Sequence, residues 1–208
     1  RSATSNEIRL MKLRNILVMF MLLTAQLLYA HDDATQQLRY LDEQIEDVKN
    51  LNSKAYRLTQ LKIKRANVLL HSHNYVEAYN VLLPILDLSP DNSEAQYLMA
   101  QIQLNLGNTA GAEQHALKYY QLTTNEVSRV HGSDLLSDIY LSESNIDMAL
   151  KHSEYILDNK KNLLPEDVLD TVKIALRLPI KTKERALAIL NKGIKRIGDI
   201  HSLDIPSI

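Results

Sequence analysis

The side chains best suited to chemistry form two closely spaced pairs. His71 and His73 flank one serine at a predicted turn between helices, and no Cys, Asp or Glu lies nearby at a ligand spacing. We therefore expect solvated turn residues and no metal site. Asp134 and Asp138 are four residues apart and share one face of a predicted helix. Paired carboxylates catalyse proton transfer only in a closed pocket beside a positioned partner, which the sequence does not supply.

Other catalytic patterns are missing from the sequence. It contains no Gly-x-Ser-x-Gly motif, no glycine-rich phosphate loop and no cysteine. A formal net charge of -1 provides no general field for nucleic acid. The sequence predicts a protein that is not an enzyme, with no catalytic residues, no cofactor, no metal and no nucleic-acid partner. The remaining histidines are expected on exposed helix faces: His115, His131 and His152.

The composition indicates helices as the elements that position these residues. Apolar residues make up 45% of the 208 residues, whereas Gly and Pro number only 5 each. Few helix breakers and much Leu, Ala, Lys and Glu favour helices, because these side chains lose little freedom in them. The length suits one domain.

The first thirty residues are typical of an export signal. Residues 1–10 precede the start Met and are interpreted as upstream sequence, and residues 11–30 as a signal peptide. A basic stretch leads into the apolar run 16–23, and Ala30 precedes a polar start. We expect cleavage after Ala30 and export to a bacterial periplasm. The alternative is an uncleaved membrane anchor, although the run is shorter than the ~20 residues that span a bilayer.

Small residues recur at a fixed interval along the chain. Ala66 and Ala100 are 34 residues apart, and so are Ala78 and Ala112. This spacing resembles the tetratricopeptide repeat, in which two antiparallel helices cross closely at small residues. The resemblance implies an all-α fold, a right-handed superhelical α-solenoid of about three to four helix hairpins plus flanking helices.

The register assigns residues 31–53 to an N-terminal capping helix, 54–197 to the repeat domain and 198–208 to a C-terminal tail. The first repeat covers 59–92, and the second begins at Ser93, which with Gln96 resembles a capping box. The third fits if three residues are inserted in the preceding turn. The fourth is degenerate, and its candidate small residues are Ala175 and either Ala186 or Leu187.

Two further groups of side chains follow from this register. Tyrosines are expected to fill the core or the space between helices: Tyr97, Tyr119, Tyr120, Tyr140 and Tyr155. Basic residues are expected to end the core with a polar surface on the last helix. They are Lys181, Lys183, Arg185, Lys192, Lys195 and Arg196.

The resemblance also implies a partner-binding surface, because the first helix of each repeat lines a concave groove in this family. By register its residues are Ile63, Asn67, Leu70, Tyr97, Gln101, Leu104, Asp134 and Asp138, flanked by Gln60, Glu94, His131 and Leu141. Ile63 stands where a carboxylate-clamping Lys would, and the third unit contributes acids, so a basic or polar segment is expected.

The function predicted from the whole sequence is a protein–protein interaction module, an adaptor or scaffold of the cell envelope that binds a peptide or helix in its groove. One alternative is a structural assembly subunit of an envelope or membrane complex, and another is a hydrolase or metal-binding protein. Membrane contact is expected only through an uncleaved signal. The partner and the oligomeric state are left open.

Overall fold

The computed structural model describes residues 33–46, 55–178 and 182–203. Over these three ranges the chain forms nine helices and no strand. The chain divides into two compact units, one ending at Asn74 and the other beginning at Tyr75. The predicted signal peptide, residues 11–30, lies outside the described residues. So does the end of the predicted tail, from residue 204 onwards.

The first unit contains helix α1, residues 33–46, and helix α2, Ala55–His71. Leu41 and Ile45 of α1 are buried at helical spacing, as the amphipathic pattern predicts. Arg65 on α2 donates from Nε to Oδ1 of Asp42 on α1, at 2.6 Å. An apolar stripe and this ion pair hold the two helices together.

The second unit is a row of helices in which each packs against the next along the chain. Hairpins α4/α5, α6/α7 and α8/α9 follow the single helix α3. The bounds are α3 Tyr75–Leu88, α4 Ser93–Asn105, α5 Thr109–Leu122, α6 Glu126–Ser142, α7 Ile146–Asn159, α8 Pro165–Ala175 and α9 Thr182–Leu203. An all-α helical-repeat architecture is therefore confirmed. Helix α9 runs past residue 197, where the repeat domain was predicted to end.

The turns that follow α2, α4 and α6 share one backbone geometry. Each contains a residue with positive φ, namely His73, Gly107 and Ser144. After α4, the amide of Gly107 donates to Leu104 O at 3.0 Å and that of Asn108 to Gln103 O at 2.9 Å. This Schellman pair satisfies carbonyls that the helix leaves open. The same two bonds recur in the other turns, through Leu70 and Leu69 and through Leu141 and Tyr140.

The small residues at 34-residue spacing occupy the predicted buried positions. Ala66, Ala78, Ala100 and Ala112 have no accessible surface, which confirms the register. In the third hairpin Ser137 Oγ donates to Ala149 O at 3.2 Å, so the hydroxyl at the close crossing is satisfied by the facing helix. In the fourth, Ala175 and Ala186 are buried whereas Leu187 is exposed, which decides between the two candidates.

The extra residues of the third hairpin lie in a helix, not in the preceding turn as predicted. Residues 123–125 connect α5 to α6, one fewer than residues 89–92 between α3 and α4. Helix α6 has 17 residues where α4 has 13. Additional turns of helix bury more surface and satisfy their own backbone, whereas a longer loop does neither.

The start of α4 also differs from the prediction of a capping box. Asn92 is the N-cap, and its side chain accepts from the amide of Ala95 at 3.0 Å. Gln96 instead donates from Nε2 to Pro90 O at 2.6 Å. Ser93 is the first helical residue, because Asn92 already satisfies the open amide.

Gln103 explains how the second repeat tolerates a polar residue where an apolar one is usual. Its side chain is buried and accepts from the side-chain amide of Asn108. A Cβ on Gly111 would lie 2.1 Å from Gln103 Oε1. Glycine at this position leaves room for the buried amide, and Asn108 provides the hydrogen bond that burial requires.

Three of the six basic residues that were predicted to form a polar end surface pair with the preceding hairpin instead, whereas Lys183 and Lys195 are exposed and Lys181 lies outside the described residues. Arg185 donates to Glu154 at 3.1 Å, and Lys192 pairs with Asp158 at 2.5 Å. Arg196 donates to two backbone carbonyls at the C-terminal end of α7. These cations therefore face the preceding hairpin and tie α9 to α7.

Candidate partner-binding surface

The predicted groove residues of α2 divide between core and surface. Ile63 has no accessible surface and Leu70 is buried, so the prediction that they contact a partner is wrong. Asn67 is exposed and Gln60 is partly exposed. Ile63 and Leu70 lie four and three residues from Asn67 and are rotated only about 40–60° from it, so packing against neighbouring elements decides which of these side chains is covered.

Helix α4 offers a partly covered surface. Tyr97, Gln101 and Leu104 are each partly exposed, and Gln101 Nε2 donates to the hydroxyl of Tyr97 at 3.2 Å. The ring of Tyr97 packs against that of Tyr119, with centroids 4.9 Å apart. Burial raises the pKa of Tyr97, and Tyr119 and the two aspartates of α6 raise it further. The hydroxyl is therefore a stable hydrogen-bond donor at neutral pH.

Asp134 and Asp138 lie in a cleft between α6, α7 and α8, of about 270 Å³. One wall carries both aspartates, and the other carries Asp170 and Lys173 of α8 and Arg177 in the turn that follows it. The remaining lining residues are Ser137, Leu141, Ser153, Ile156 and Ile174. Sequence reasoning placed the two aspartates on one face correctly but missed the acidic and basic residues of α8, because the fourth repeat was too degenerate to extend the register to them.

A second cleft of about 480 Å³ adjoins the first and shares Asp134 and Ile156 with it. Its walls are the start of α6, the end of α7 and the connection to α8. The lining residues besides the shared two are Glu126, Val127, Val130, His131, Asn159, Lys160, Lys161, Asn162 and Asp167. Lys160 pairs with Asp167 at 2.7 Å. We call the two together the α6–α8 cleft.

Electrostatics single out the two aspartates within the α6–α8 cleft. Burial raises the pKa of Asp134, and Asp167 and Asp170 add to that effect while Lys160 and His131 oppose it. The pKa of Asp138 is raised by burial first, then by Asp134 and Asp170. Asp134 and Asp138 are exposed side chains, so the burial that raises their pKa is only partial, and the cleft is also lined by Lys160, Lys161, Lys173 and Arg177. A cation placed between the two aspartates would relieve their mutual repulsion.

The two serines that line the α6–α8 cleft hydrogen-bond to neighbouring helices. The hydroxyl of Ser137 donates to the backbone carbonyl of Ala149 at 3.2 Å, and that of Ser153 bonds to Thr171 Oγ1 at 2.9 Å. Across the described ranges, no group of three or more His, Asp or Glu side chains is arranged to hold a metal ion.

Two histidines between the helices are more involved in packing than the sequence predicted. His115 Nδ1 lies 2.6 Å from Gln96 Oε1, and His152 stacks on Tyr140 with ring centroids 5.7 Å apart. Both are partly buried, so the prediction of exposed faces is wrong for them, whereas His131 is exposed. Burial lowers the pKa of both His115 and His152. Their neutral rings serve as interhelix filler.

The repeated turns, the buried small residues and the paired helices fit a helical-repeat architecture. A tetratricopeptide repeat model matches residues 69–131, from the end of α2 into α6. The chain carries tetratricopeptide repeats. Such repeats are protein–protein interaction modules in general. The family is typically not enzymatic.

No curated protein matches the sequence. No helix within residues 33–46, 55–178 and 182–203 has the length and apolarity needed to cross a bilayer. The tetratricopeptide repeats are thus the feature on which a proposal about function rests.

Proposed function

We propose that this tetratricopeptide protein is an adaptor that binds a basic segment of a partner protein, as a peptide or helix, in the α6–α8 cleft. The observation that carries the proposal is that Asp134 and Asp138 share one cleft with apolar Ile156 and Ile174, next to Asp170, which is paired with Lys173 at 2.7 Å. Carboxylates recognise Lys and Arg, and the apolar floor supports their aliphatic stems.

We further propose that the adaptor acts in the bacterial cell envelope after export. The support is the N-terminal pattern of a basic stretch, the apolar run 16–23 and Ala30 before a polar start. Fractionation of the native cell and N-terminal sequencing check this point. We expect a mature chain that begins at His31, whereas a chain that retains residues 11–30 in the membrane would contradict cleavage.

Binding is tested with synthetic peptides of equal length and mean hydropathy that differ only in charge: basic, neutral and acidic. Fluorescence anisotropy with the purified chain should show binding of the basic peptide, weakening as salt is added. The double variant Asp134→Asn with Asp138→Asn should bind it at least about tenfold more weakly, since each loses a charge-assisted contact.

The matched control removes the same charge elsewhere. Asp87 on α3 and Asp147 on α7 are exposed, and neither lines the α6–α8 cleft. Asp87→Asn with Asp147→Asn should leave peptide affinity nearly unchanged. If both double variants lost the same affinity for the basic peptide, the effect would come from long-range charge and not from the cleft. Tight binding of the acidic peptide would contradict the proposal that carboxylates recognise a basic segment.

A further inference from the structure

The charged side chains of the α6–α8 cleft do not all balance one another. Five carboxylates and four cations line it. Lys160 pairs with Asp167 and Lys173 with Asp170, each at 2.7 Å. The charged residues left without an ion pair within the described ranges are Glu126, Asp134, Asp138, Lys161 and Arg177. Their order along the cleft decides which charges a bound segment meets.

Helices α6 and α8 run in the same direction along the cleft. At one end, the first residues of α6 lie with Lys161 and Asn162, which precede α8. At the other end, the lining positions have the same helical spacing on both walls. They are residues 134, 137, 138 and 141 on α6, and residues 170, 173, 174 and 177 on α8 and the turn after it. Arg177 therefore lies near the level of Leu141, about one turn past Asp138.

The two ends of the cleft differ in the charge that remains. Glu126 and Lys161 are both exposed at the first end, where their opposite charges offset each other. Glu126 also accepts from the hydroxyl of Tyr155 at 2.7 Å. At the other end Arg177 faces no unpaired acid at its own level, since Leu141 lies opposite. A bound segment would therefore meet the two negative charges of α6 followed by one positive charge.

Arg177 is held by its backbone, whereas its side chain is open to a ligand. Its amide donates to Ile174 O at 3.0 Å, which keeps the residue on the last turn after α8. The side chain is exposed and makes no hydrogen bond within the described residues. It does not neutralise Asp138, whose pKa is raised by partial burial and further by Asp134 and Asp170. A guanidinium has five N–H donors and binds carboxylates through two of them at once, so the fitting partner is a carboxylate.

We propose that Arg177 selects which segments the α6–α8 cleft accepts, by binding an acidic side chain next to the basic residues that Asp134 and Asp138 hold. The inference rests on the proposed function, because it concerns the same bound segment. In an extended segment, alternate side chains face the same way and lie about 7 Å apart. Asp134 and Asp138 are one helical turn apart, about 6 Å along the axis, and Arg177 lies about one turn further. The charge order that fits is basic, basic, acidic at alternate positions.

The test compares peptides with blocked termini that differ in the order of their charges. The first has Arg, Arg and Glu at alternate positions separated by serine, and its isomer has Arg, Glu and Arg. Because composition and net charge are the same, long-range attraction is equal for the two. In fluorescence anisotropy with the full chain, the first should bind at least about tenfold more tightly, because the isomer brings its Glu against the aspartates.

The variant Arg177→Glu should change the affinities of two peptides in opposite directions. The Arg, Arg, Glu peptide should bind about tenfold more weakly, whereas a third peptide with Arg at all three positions should bind more tightly. Opposite shifts cannot result from misfolding. The matched control is Lys195→Glu, which makes the same change of charge at an exposed position of α9 outside the cleft. It should preserve the preference for the Arg, Arg, Glu order.

The three peptides separate this inference from the proposed function. Equal affinity for the two isomers, with the three-arginine peptide still bound, would overturn the role of Arg177 and leave the proposed function in place. If Arg177→Glu bound the first and third peptides both more tightly, Arg177 would compete with the segment for the aspartates, contrary to the inference. No binding of any arginine peptide would contradict the proposed function and this inference together.

Discussion

The hairpins α4/α5 and α6/α7 differ from α8/α9 in what surrounds them. In the two middle hairpins, helices lie on both sides and the bulky apolar residues are buried, as Leu136 and Leu150 show by having no accessible surface. The last hairpin buries Val168 and Ile189 against its neighbour but leaves Leu176 and Ile194 half exposed. A helical repeat stabilises itself mainly through neighbour interfaces, so the last hairpin holds only half of them.

The residues that cap the N-termini of the helices also differ between these hairpins. Asn108 and Asn145 cap the second helix of the middle hairpins, accepting from Gly111 and Met148 amides at 3.1 and 3.3 Å. Helix α8 begins after Leu164, which has no side-chain acceptor for the open amides. The regular repeats thus have side-chain N-caps, whereas the degenerate fourth repeat has none at the start of α8.

The largest contrast is expected from truncating one leucine in each region. Leu136→Ala should lower the free energy of unfolding by about 2–5 kcal/mol, because it opens a cavity in a closed core. Leu187→Ala should change it by no more than about 0.5 kcal/mol, as for an exposed position. Urea denaturation followed by circular dichroism measures both. Equal losses would mean that the last hairpin is as enclosed as the middle ones.

A second contrast concerns the close crossing of paired helices. Ala100→Leu should destabilise the fold by roughly 1–3 kcal/mol, since the position has no room for three more carbons. The control is Ala188→Leu on the exposed side of α9, for which little change is expected. If the midpoint of Ala100→Leu matched that of the wild type, the register of the second repeat would be in error.

Substitutions at helix N-caps should change stability in opposite directions in the two regions. Asn108→Ala removes the acceptor for the Gly111 amide and should cost about 1 kcal/mol. Leu164→Asn supplies an acceptor that α8 lacks and should stabilise by about 0.5–1 kcal/mol. The existing bond from the Leu164 amide to Asp167 Oδ2, at 2.8 Å, would remain. Thermal denaturation monitors both changes, and a destabilising Leu164→Asn would point to a packing role for that leucine.

The smallest expected effect concerns Asp134 and Asp138 of the α6–α8 cleft, which lies between the hairpin α6/α7 and the last hairpin. Because their pKa values are raised above 3.8, the folded state holds protons that the unfolded state has lost, and stability falls as pH rises through that window. Asp134→Asn with Asp138→Asn should therefore stabilise the fold at pH 7. That gain should shrink towards about pH 4, where the carboxylates take up protons. If the gain in stability did not depend on pH, its cause would not be the removal of charge.

Much of the fold could be predicted from residue spacing. The interval between Ala66 and Ala100, and between Ala78 and Ala112, placed the buried crossings correctly, because only small residues fit where helices approach closely. The surface residues were harder to predict. Ile63 and Tyr97 occupy equivalent positions in the register, yet one is buried and the other partly exposed. Exposure depends on neighbouring elements that no local pattern specifies.

The sequence by itself determined the helices, their pairing and the turn geometry, because these depend on interactions between residues close along the chain. Only the tertiary structure decided that Asp134 and Asp138 lie in one cleft with Asp170, that Arg185 and Lys192 bind α7, and that Leu176 and Ile194 stay half exposed. Each of these depends on which side of a helix meets another helix, and side chains about 100° apart in rotation have different neighbours. The neighbours of these side chains, and therefore what they bind, were decided by long-range packing between helices.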